Sequence, residues 1–458
     1  MRHIAVIDIG KTNAKLLSVD LQTGAETTIA RRANAVIPTG PYPHFDIEGL
    51  WAFVLSALAQ LGRQRNIDAI SITTHGASAA LIDAQGALVL PVLDYEHDGP
   101  DRLKDDYAAL RPDFSETGSP RLPGGLNIGA QLYWQAQQFP QAFEKAKFIL
   151  TYPQYWSHRL TGVAASEGTS LGCHTDLWQP FMGCFSSLVP KMGWQELFPP
   201  LRPASAFLGA LLPKIAAATG LPAGTPVLSG IHDSNASLVP WLEDDTPRAV
   251  LSTGTWMIVM ALGAPQRDLD GARDVLVNVN AKGAPVPTAR FMAGREFDEI
   301  TEGRAVPPSE PEENAILSRR IMAMPSRHPD TGPFPGQTFE WSPGAPTTPG
   351  LCTAAASFYV ALMGAECLDL IAATGDVIVE GPFGGNMAFA RMLATATGRT
   401  VCLAGQGAGT GLGAAMLAGP LATQRPPMQR VSPETDPRWT DYAAQWQQIV
   451  RRRWAGRP

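Results

Sequence analysis

The chain is short of the features that commit a protein to several large classes. It has 5 cysteines, Cys173, Cys184, Cys352, Cys367 and Cys402, odd in number, scattered, and without a Cys-x-x-Cys pair. A disulfide framework is therefore not expected, and a reducing, cytoplasmic compartment is. No apolar run reads as long enough to span a bilayer. The start, Met1-Arg-His-Ile-Ala-Val-Ile-Asp8, has no apolar signal core before its first carboxylate, so no membrane partner is expected. Basic excess is lacking too: the net charge is −6, which gives no electrostatic footprint for nucleic acid. Gly10-Lys11-Thr12 lacks the GxxxxGK[ST] spacing of a Walker A loop. The 44 glycines and 40 prolines point to many turns rather than to disorder, because apolar segments recur throughout. A length of 458 residues allows two or three domains.

What the chain does have is a recurring pairing of short apolar strands with small polar turns. At mid-chain, Pro226 to Ile231 reads as a buried strand, and Asn235 to Leu242 as the opening of an apolar helix disturbed by Pro240. His232-Asp233-Ser234 lies between them. A carboxylate thus stands at the C-terminal end of a strand and the start of a helix, where open α/β sheets bind ligands. Asp233 has two readings there, a helix cap or the reactive group of a site. His232 could orient it, touch a substrate, or fill space.

The N-terminus reads as a hairpin, Ile4–Asp8 and Ala14–Asp20 around Ile9-Gly10-Lys11-Thr12-Asn13. Such a turn can present backbone N–H groups and one ammonium to a phosphate. Asp8, just ahead of it, could hold magnesium through water. Ile47 to Leu61 has the period of an amphipathic helix, with Trp51, Val54, Leu55, Leu58 and Leu61 on one side. The strand Asp68–Thr73 ends in Thr74-His75-Gly76-Ala77-Ser78, and Ala87–Asp94 ends in Asp94-Tyr95-Glu96-His97-Asp98. These clusters could hydrogen-bond a polyol; the plainer alternative is a core histidine and a turn cap.

Beyond the polar stretch Glu243–Arg248 the pattern restarts. Ala249–Met260 is again strand, turn, strand, with Thr253-Gly254-Thr255 in the turn, a sign of internal duplication. Residues 263–350 read as loop-rich, with the Pro-rich run Pro333–Pro349 as a surface insertion. Ala354–Ala372 reads as a buried helix. The strand Asp376–Glu380 leads into Gly381-Pro-Phe-Gly384-Gly385-Asn386, and Gly405–Gly413 is a Gly-rich turn before the helix Ala414–Ala418. Trp439–Trp454 reads as a helix with a solvated basic face. Two domains, 1–245 and 246–458, could clamp a triphosphate between the two hairpins. The nucleoside would sit on a second-half Gly-rich turn and an acceptor in the first half, with Asp233 taking the acceptor's proton.

The chain resembles the FGGY carbohydrate kinases of the actin-like ATPase superfamily nearly end to end. The resemblance is carried by Val6-Ile-Asp-Ile-Gly-Lys-Thr12, His44-Phe-Asp-Ile-Glu-Gly-Leu-Trp51, Tyr152-Pro-Gln-Tyr-Trp-Ser-His-Arg-Leu-Thr-Gly162, Gly220-Leu-Pro-Ala-Gly-Thr-Pro-Val227, Gly230-Ile-His-Asp233, Ser252-Thr-Gly-Thr255 and Gly411-Leu-Gly-Ala-Ala415, in that order and spacing. It implies an α/β fold of two ribonuclease-H-like domains with a central cleft, and ATP and Mg2+ as cofactors. Asp233 would be the catalytic base. ATP would be held by Asp8, Gly10, Lys11, Thr12 and Asn13, by Thr253, Gly254 and Thr255, and by Gly384, Gly385 and Asn386. His75, Gly76, Asp94, Tyr95, His232 and Asp233 would meet the sugar, and Asp8 and Asp233 the metal.

There are departures from the family pattern. Thr74-His-Gly-Ala-Ser78 replaces Gln-x-His-Gly, in the manner of the rhamnulokinase and fuculokinase branch, and Asp94-Tyr-Glu-His97 replaces Asp-x-Arg. Gln131 stands for the lysine of Lys-x-x-Trp, and Gly381-Pro-Phe precedes the glycine pair instead of further glycines. The first expectation for the acceptor is a 6-deoxyketohexose such as L-rhamnulose or L-fuculose, given room by the small Ala77, Ala79 and Ala80. A pentulose such as xylulose or ribulose is the second. An acetate-kinase-like phosphotransferase and an actin-like ATPase switch are the competing classes. A homodimer remains open.

Overall fold

The computed structural model describes residues 1–404, 409–423 and 427–456. The chain forms two compact units. The first comprises Met1–Asp244, Val277–Pro285 and Ala408–Arg425; the second comprises Asp245–Leu276, Val286–Gly407 and Pro426–Pro458.

In the first unit a seven-stranded sheet is built around His3–Ile9. That strand runs antiparallel to Asn13–Asp20, which pairs in turn with Ala25–Ala33, and parallel to Ala69–Thr74 on its other side. Ala69–Thr74 takes Pro226–Leu228 and then Ile231–His232 as parallel neighbours, and Phe207–Ala210 closes the edge antiparallel. Covered on both faces, the central strands are continuous apolar runs such as Ile4-Ala-Val-Ile7. The register sets up the site. Asp8 pairs with Thr73, and Thr73 pairs with Ile231. The residues that follow these three strands, Gly10, His75 and Asp233, therefore emerge at one end of the sheet.

Alternation along His3–Ile9 sends Ala5, Ile7 and Ile9 to one face and Ile4 and Val6 to the other. The helix Ile47–Gln64 covers the first face. Asp46 caps it, its carboxylate accepting the Gly49 N–H at 3.0 Å, and Leu50, Val54, Leu58 and Leu61 point inward. Trp51 and Leu55 lie at the edge of that stripe, half-buried, with the Arg159 guanidinium over the Trp51 ring. The second face is filled by Ala414 and Ala415, from a helix that runs over Thr410–Met416, and by Leu417 just after it. Of the Gly-rich turn, residues 405–408 lie outside the described residues. Gly411 and Gly413 serve close packing: a Cβ on Gly413 would fall 1.8 Å from the Ala236 carbonyl oxygen.

The second unit repeats the pattern. Arg248–Thr253 pairs antiparallel with Met257–Leu262, which pairs with Pro285–Phe291, and parallel with Asp376–Glu380 on its other side. Val401–Leu403 and Gln429–Val431 extend the sheet. The duplication seen in the two hairpins is thus a duplication of sheet topology. The core of this unit is the 22-residue helix Pro349–Leu370. It is long and apolar enough to cross a bilayer by length and composition, and 94% of its apolar window is buried inside the protein.

Three expectations change, the first being Ala87–Asp94, which makes only isolated bridges at Leu88 and Leu93 instead of a strand. The helix read over Asn235–Leu242 is one turn, Asp233–Ala236, then a 3-10 turn, Val239–Leu242, because Pro240 has no N–H to continue the ladder. Residues 263–350 carry the strands Val275–Val279 and Pro285–Phe291 and the helices Ala293–Thr301 and Glu310–Arg319, and Phe334 in the Pro-rich run is fully buried. The C-terminal helix Pro437–Ala455 has the expected exposed basic residues, Arg451, Arg452 and Arg453, and on its other side buries Trp439, Tyr442 and Trp446, with the Trp446 indole donating to the Ala323 carbonyl at 2.7 Å.

Candidate active site

The strand end that carries Asp233 is held rigidly. Gly230, at φ 92°, turns the chain between Pro226–Leu228 and Ile231–His232. The buried Gln154 side-chain amide donates to the Ser229 and Gly230 carbonyls, both at 3.1 Å, and the Ser157 hydroxyl donates to the Leu228 and Ser229 carbonyls at 3.0 and 2.9 Å. The His232 N–H donates to Thr169 Oγ1 at 3.1 Å, and that hydroxyl donates to Glu167 Oε2 at 2.6 Å. Glu167 is fully enclosed, and burial pushes its carboxyl above the usual range. Glu167 and Thr169 carry no periodic signature in the sequence and were not legible there; Gln154 stands in the Tyr152–Gly162 motif, which gave it no role.

Asp233 is the first residue of its helical turn, and its Oδ1 accepts the Ser234 N–H at 2.6 Å. It satisfies a helix-end donor and still keeps 32% of its side chain exposed. Burial raises its pKa. His232 is nearly enclosed: Nε2 lies 3.2 Å from Asp233 Oδ1 and 3.4 Å from Cys173 Sγ, and Nδ1 lies 3.0 Å from the Asn235 amide. Desolvation lowers its pKa to about 4 and keeps the ring neutral. Of its three readings, the geometry favours orientation of Asp233. Gly76 is small by necessity, since a Cβ there would stand 2.9 Å from His232 Nε2.

Asp8 faces Lys15, its cross-strand partner, whose ammonium is 3.8 Å away. Burial first, and then the charge of Asp233, lift the Asp8 carboxyl to about 6, against the pull of Lys15. Lys15 was missed in the sequence, although its place opposite Asp8 in the hairpin was the available signal. Lys11 is engaged within the first unit. Its ammonium is ion-paired with Asp94, lies 3.5 Å from Glu96 Oε2, and sits 4.5 Å from the centre of the Tyr95 ring. Asn13 donates to Thr12 Oγ1 at 3.0 Å and accepts from Arg31 Nε at 3.0 Å. Thr12 is exposed, and the Gly10 N–H closes the turn on the Asn13 carbonyl at 2.9 Å.

His75 is a buried histidine with one ring nitrogen left without a partner among the described groups. It is 5% exposed, packed among the rings of Phe45, Tyr95 and Tyr152, and its Nδ1 lies 2.7 Å from the Gly76 carbonyl. Burial lowers its pKa to about 4, while its Nε2 has no partner among the described groups. Ala77, Ala79 and Ala80 are core residues at 3%, 4% and 0% exposure, so they offer no open apolar surface to an acceptor. Gln131 is buried and donates to the Ala77 carbonyl at 2.5 Å and to the Gly125 carbonyl. A separate cavity of about 200 Å³ in this unit is lined by Tyr107, Arg111, Arg121 and Asn127. Its Arg111 and Tyr107 are committed to Asp176 at 3.0 and 2.8 Å, and none of the strand-end residues lines it.

In the second unit the two expected turns come together. The Thr253 hydroxyl donates to the Glu380 carbonyl at 2.5 Å and accepts the Phe383 N–H at 3.2 Å, so it pins the hairpin to the turn after the strand Asp376–Glu380. Gly254 is half-buried and Thr255 exposed, which leaves those two as the accessible part of the hairpin. Gly294 is pressed against the same turn; a Cβ on it would fall 2.2 Å from the Gly254 carbonyl oxygen. Asn386 caps the helix Met387–Thr397, accepting the Phe389 N–H at 3.0 Å and donating to Ser357 Oγ at 2.9 Å. Gly384 closes that turn on the Gly381 carbonyl at 2.9 Å, and Gly385 faces open space.

Asp8 and Asp233 fit a magnesium ion by their chemistry. Both are hard oxygen donors, both are partly desolvated, and the negative charge of Asp233 already destabilises that of Asp8. Among the described residues no three His, Cys, Asp or Glu side chains gather into one cluster, so water and phosphate oxygens would complete the coordination, as is usual for Mg2+.

Comparison with known proteins bears on the same segments. The N-terminal domain of the FGGY family of carbohydrate kinases matches residues 3–240, and the description "Carbohydrate kinase FGGY, C-terminal domain" matches residues 245–427. The L-fuculokinase of Escherichia coli (strain K12) is 28% identical over 279 residues, 57% of this chain and 57% of that protein. The xylulose kinase of the same strain is 26% identical over 277 residues, 56% and 53% of the two chains. The matched part is thus little more than half the length of these relatives. The crystal structure of a carbohydrate kinase from Novosphingobium aromaticivorans is 37% identical and superposes with a TM-score of 0.89, covering 97% of this chain and 100% of that one. With both domains matched in order over most of its length, the chain belongs to the FGGY family of carbohydrate kinases.

Proposed function

We propose that the protein transfers the γ-phosphoryl group of ATP to a hydroxyl of a neutral ketose, with Asp233 as general base. The observation that carries this is the convergence of Asp8, His75 and Asp233 at the ends of three adjacent parallel strands, with Asp233 partly open and held by its strand. In the step, the acceptor O–H proton passes to the Asp233 carboxylate as the acceptor oxygen bonds to the γ-phosphorus. The bond from that phosphorus to the β–γ bridging oxygen breaks, and ADP leaves. A carboxylate raised by burial holds the proton more strongly, which suits a base. His232 stays neutral beside it and fixes its orientation. Asp8 and Asp233 would hold Mg2+, which supplies neutralisation of phosphate charge. In the second unit, Gly254, Thr255, Gly384 and Gly385 are the accessible candidates for nucleotide contacts, while Thr253 and Asn386 shape those turns.

Charge argues for the acceptor class. Lys11 is already paired with Asp94 and Glu96, and Lys15 with Asp8, so an acceptor carboxylate would meet cations that are neutralised. An anionic acceptor such as an aldonate is disfavoured there, and a neutral polyol is not. Similarity to L-fuculokinase supports a 6-deoxyketohexose first and a pentulose second. The five free thiols fit a reducing compartment. The test is ADP release with ATP and magnesium over L-fuculose, L-rhamnulose, xylulose, ribulose and gluconate. Turnover with a ketose and none with gluconate is expected; ADP release independent of every acceptor would favour the ATPase-switch reading.

A further inference from the structure

Lys11 is placed by the hairpin turn but held from elsewhere in the first unit. Its ammonium pairs with Asp94, 83 residues further on, whose side chain is only 9% exposed. It also lies 3.5 Å from Glu96 Oε2, 4.5 Å from the centre of the Tyr95 ring and 5.2 Å from that of Phe45. Lys15, on the adjoining strand, is the lysine that reaches Asp8. The two cations of one hairpin are thus sent to different groups, Lys15 to the candidate metal carboxylate and Lys11 to the polar cluster beside His75. Tyr95 ties that cluster to the reacting end, since its ring packs on His75 at 5.5 Å and it feels the charge of Asp233.

A lysine ammonium has three donors, and the Lys11 side chain keeps 20% of its surface open. Asp94 is fixed independently: its N–H donates to the Pro43 carbonyl at 3.0 Å, and its Oδ1 also accepts the Glu96 N–H at 3.3 Å. Side by side, a free N–H and a carboxylate oxygen form a donor–acceptor pair.

We propose that Lys11 acts on the acceptor and not on the nucleotide phosphates, pairing with Asp94 to read two neighbouring hydroxyls of a neutral polyol, one accepting from Lys11 and one donating to Asp94. This rests on the sugar-kinase reading. It makes Lys11 a specificity-determining residue, and it explains why a lysine in a phosphate-type turn is neutralised by two carboxylates.

The experiment compares Lys11→Met, Lys11→Arg and Lys15→Met with the wild type. The acceptor is whichever of L-fuculose, L-rhamnulose, xylulose and ribulose gives the highest wild-type turnover, and KM is measured separately for acceptor and for ATP. Losing one charge-assisted hydrogen bond predicts that Lys11→Met raises the acceptor KM about tenfold or more and leaves the ATP KM within about twofold. Lys11→Arg should recover part of the loss, and Lys15→Met should show the opposite split. A Lys11→Met variant whose ATP KM rises while the acceptor KM holds, or in which both rise together, would overturn the proposal. If Lys11→Met does not fold, Lys11→Arg is read for the same split. A wild type silent on all four sugars would remove the kinase reading, and this proposal with it, whereas failure of the split in an active enzyme removes the proposal alone.

Discussion

His75 is enclosed by Phe45, Tyr95 and Tyr152, with Lys11, Asp233 and His232 as the charged or titratable groups around it, and burial holds its pKa near 4. In the unfolded chain an imidazole titrates near 6.5. Between those values the unfolded state binds more protons than the folded one. The contribution is therefore fully present above about pH 6.5, is lost as pH falls toward 4, and stops changing below that, a loss of roughly 3 kcal/mol at most. His75→Gln should flatten the fall of the unfolding midpoint between pH 6.5 and 4 relative to the wild type; an unchanged slope would place the acid sensitivity elsewhere. The sequence showed which residue types stand at strand ends, because an Asp or His after an apolar run is a local signal. It did not show where the side chains go. Lys11 and Lys15 differ by four positions in one hairpin, and their divergence depends on Asp94, far along the chain. Glu167 and Thr169 were invisible for the same reason, since they act on the His232 backbone from a separate segment.

At the scale of elements, the short turn Asp233–Ala236 is braced by the helix Thr410–Met416. Ser71 Oγ donates to the Ala414 carbonyl at 2.7 Å, and Gly413 lies directly against the Ala236 carbonyl. A methyl group at Gly413 meets backbone, which cannot swing aside as a side chain can. Gly413→Ala should therefore destabilise the first unit by roughly 2–4 kcal/mol and lower turnover by displacing Asp233. Thermal unfolding and kcat measured on one preparation check both effects. A midpoint and a kcat like those of the wild type would mean that this helix has room to move. Most strands and the long helices were readable from period and apolar run, but Ala87–Asp94 is apolar enough for a strand and makes only isolated bridges at Leu88 and Leu93. The one-turn helix after Asp233 was overread because Asn235–Leu242 is apolar enough for a helix, and Pro240 and the packing against Gly413 decide otherwise.

At the scale of the whole molecule, the chain does not divide at one point. Residues 277–285 and the described part of 408–425 belong with the first unit, although they follow the start of the second. The physical cause is the sheet face formed by Ile4, Val6, Leu17 and Val19, which stays exposed until Ala414, Ala415 and Leu417 cover it. A fragment of residues 1–244 should therefore fail to fold cooperatively, giving a broad, ANS-binding transition. A sharp transition matching that of the full chain would contradict the assignment. The two-domain architecture was legible from the repeated hairpin, but a late segment returning to an early core leaves no local mark in the sequence.

The central claim is that Asp233 is the base of a sugar-phosphorylating site, and Asp233→Asn tests it most directly. The change is nearly isosteric, and the amide can still accept the Ser234 N–H that the carboxylate accepts at 2.6 Å. Acceptor-dependent ADP release should fall by about 100- to 10,000-fold, while binding of metal-free nucleotide measured by calorimetry stays within about twofold, well under 1 kcal/mol. Sugar phosphorylation by Asp233→Asn at the wild-type rate would contradict the account.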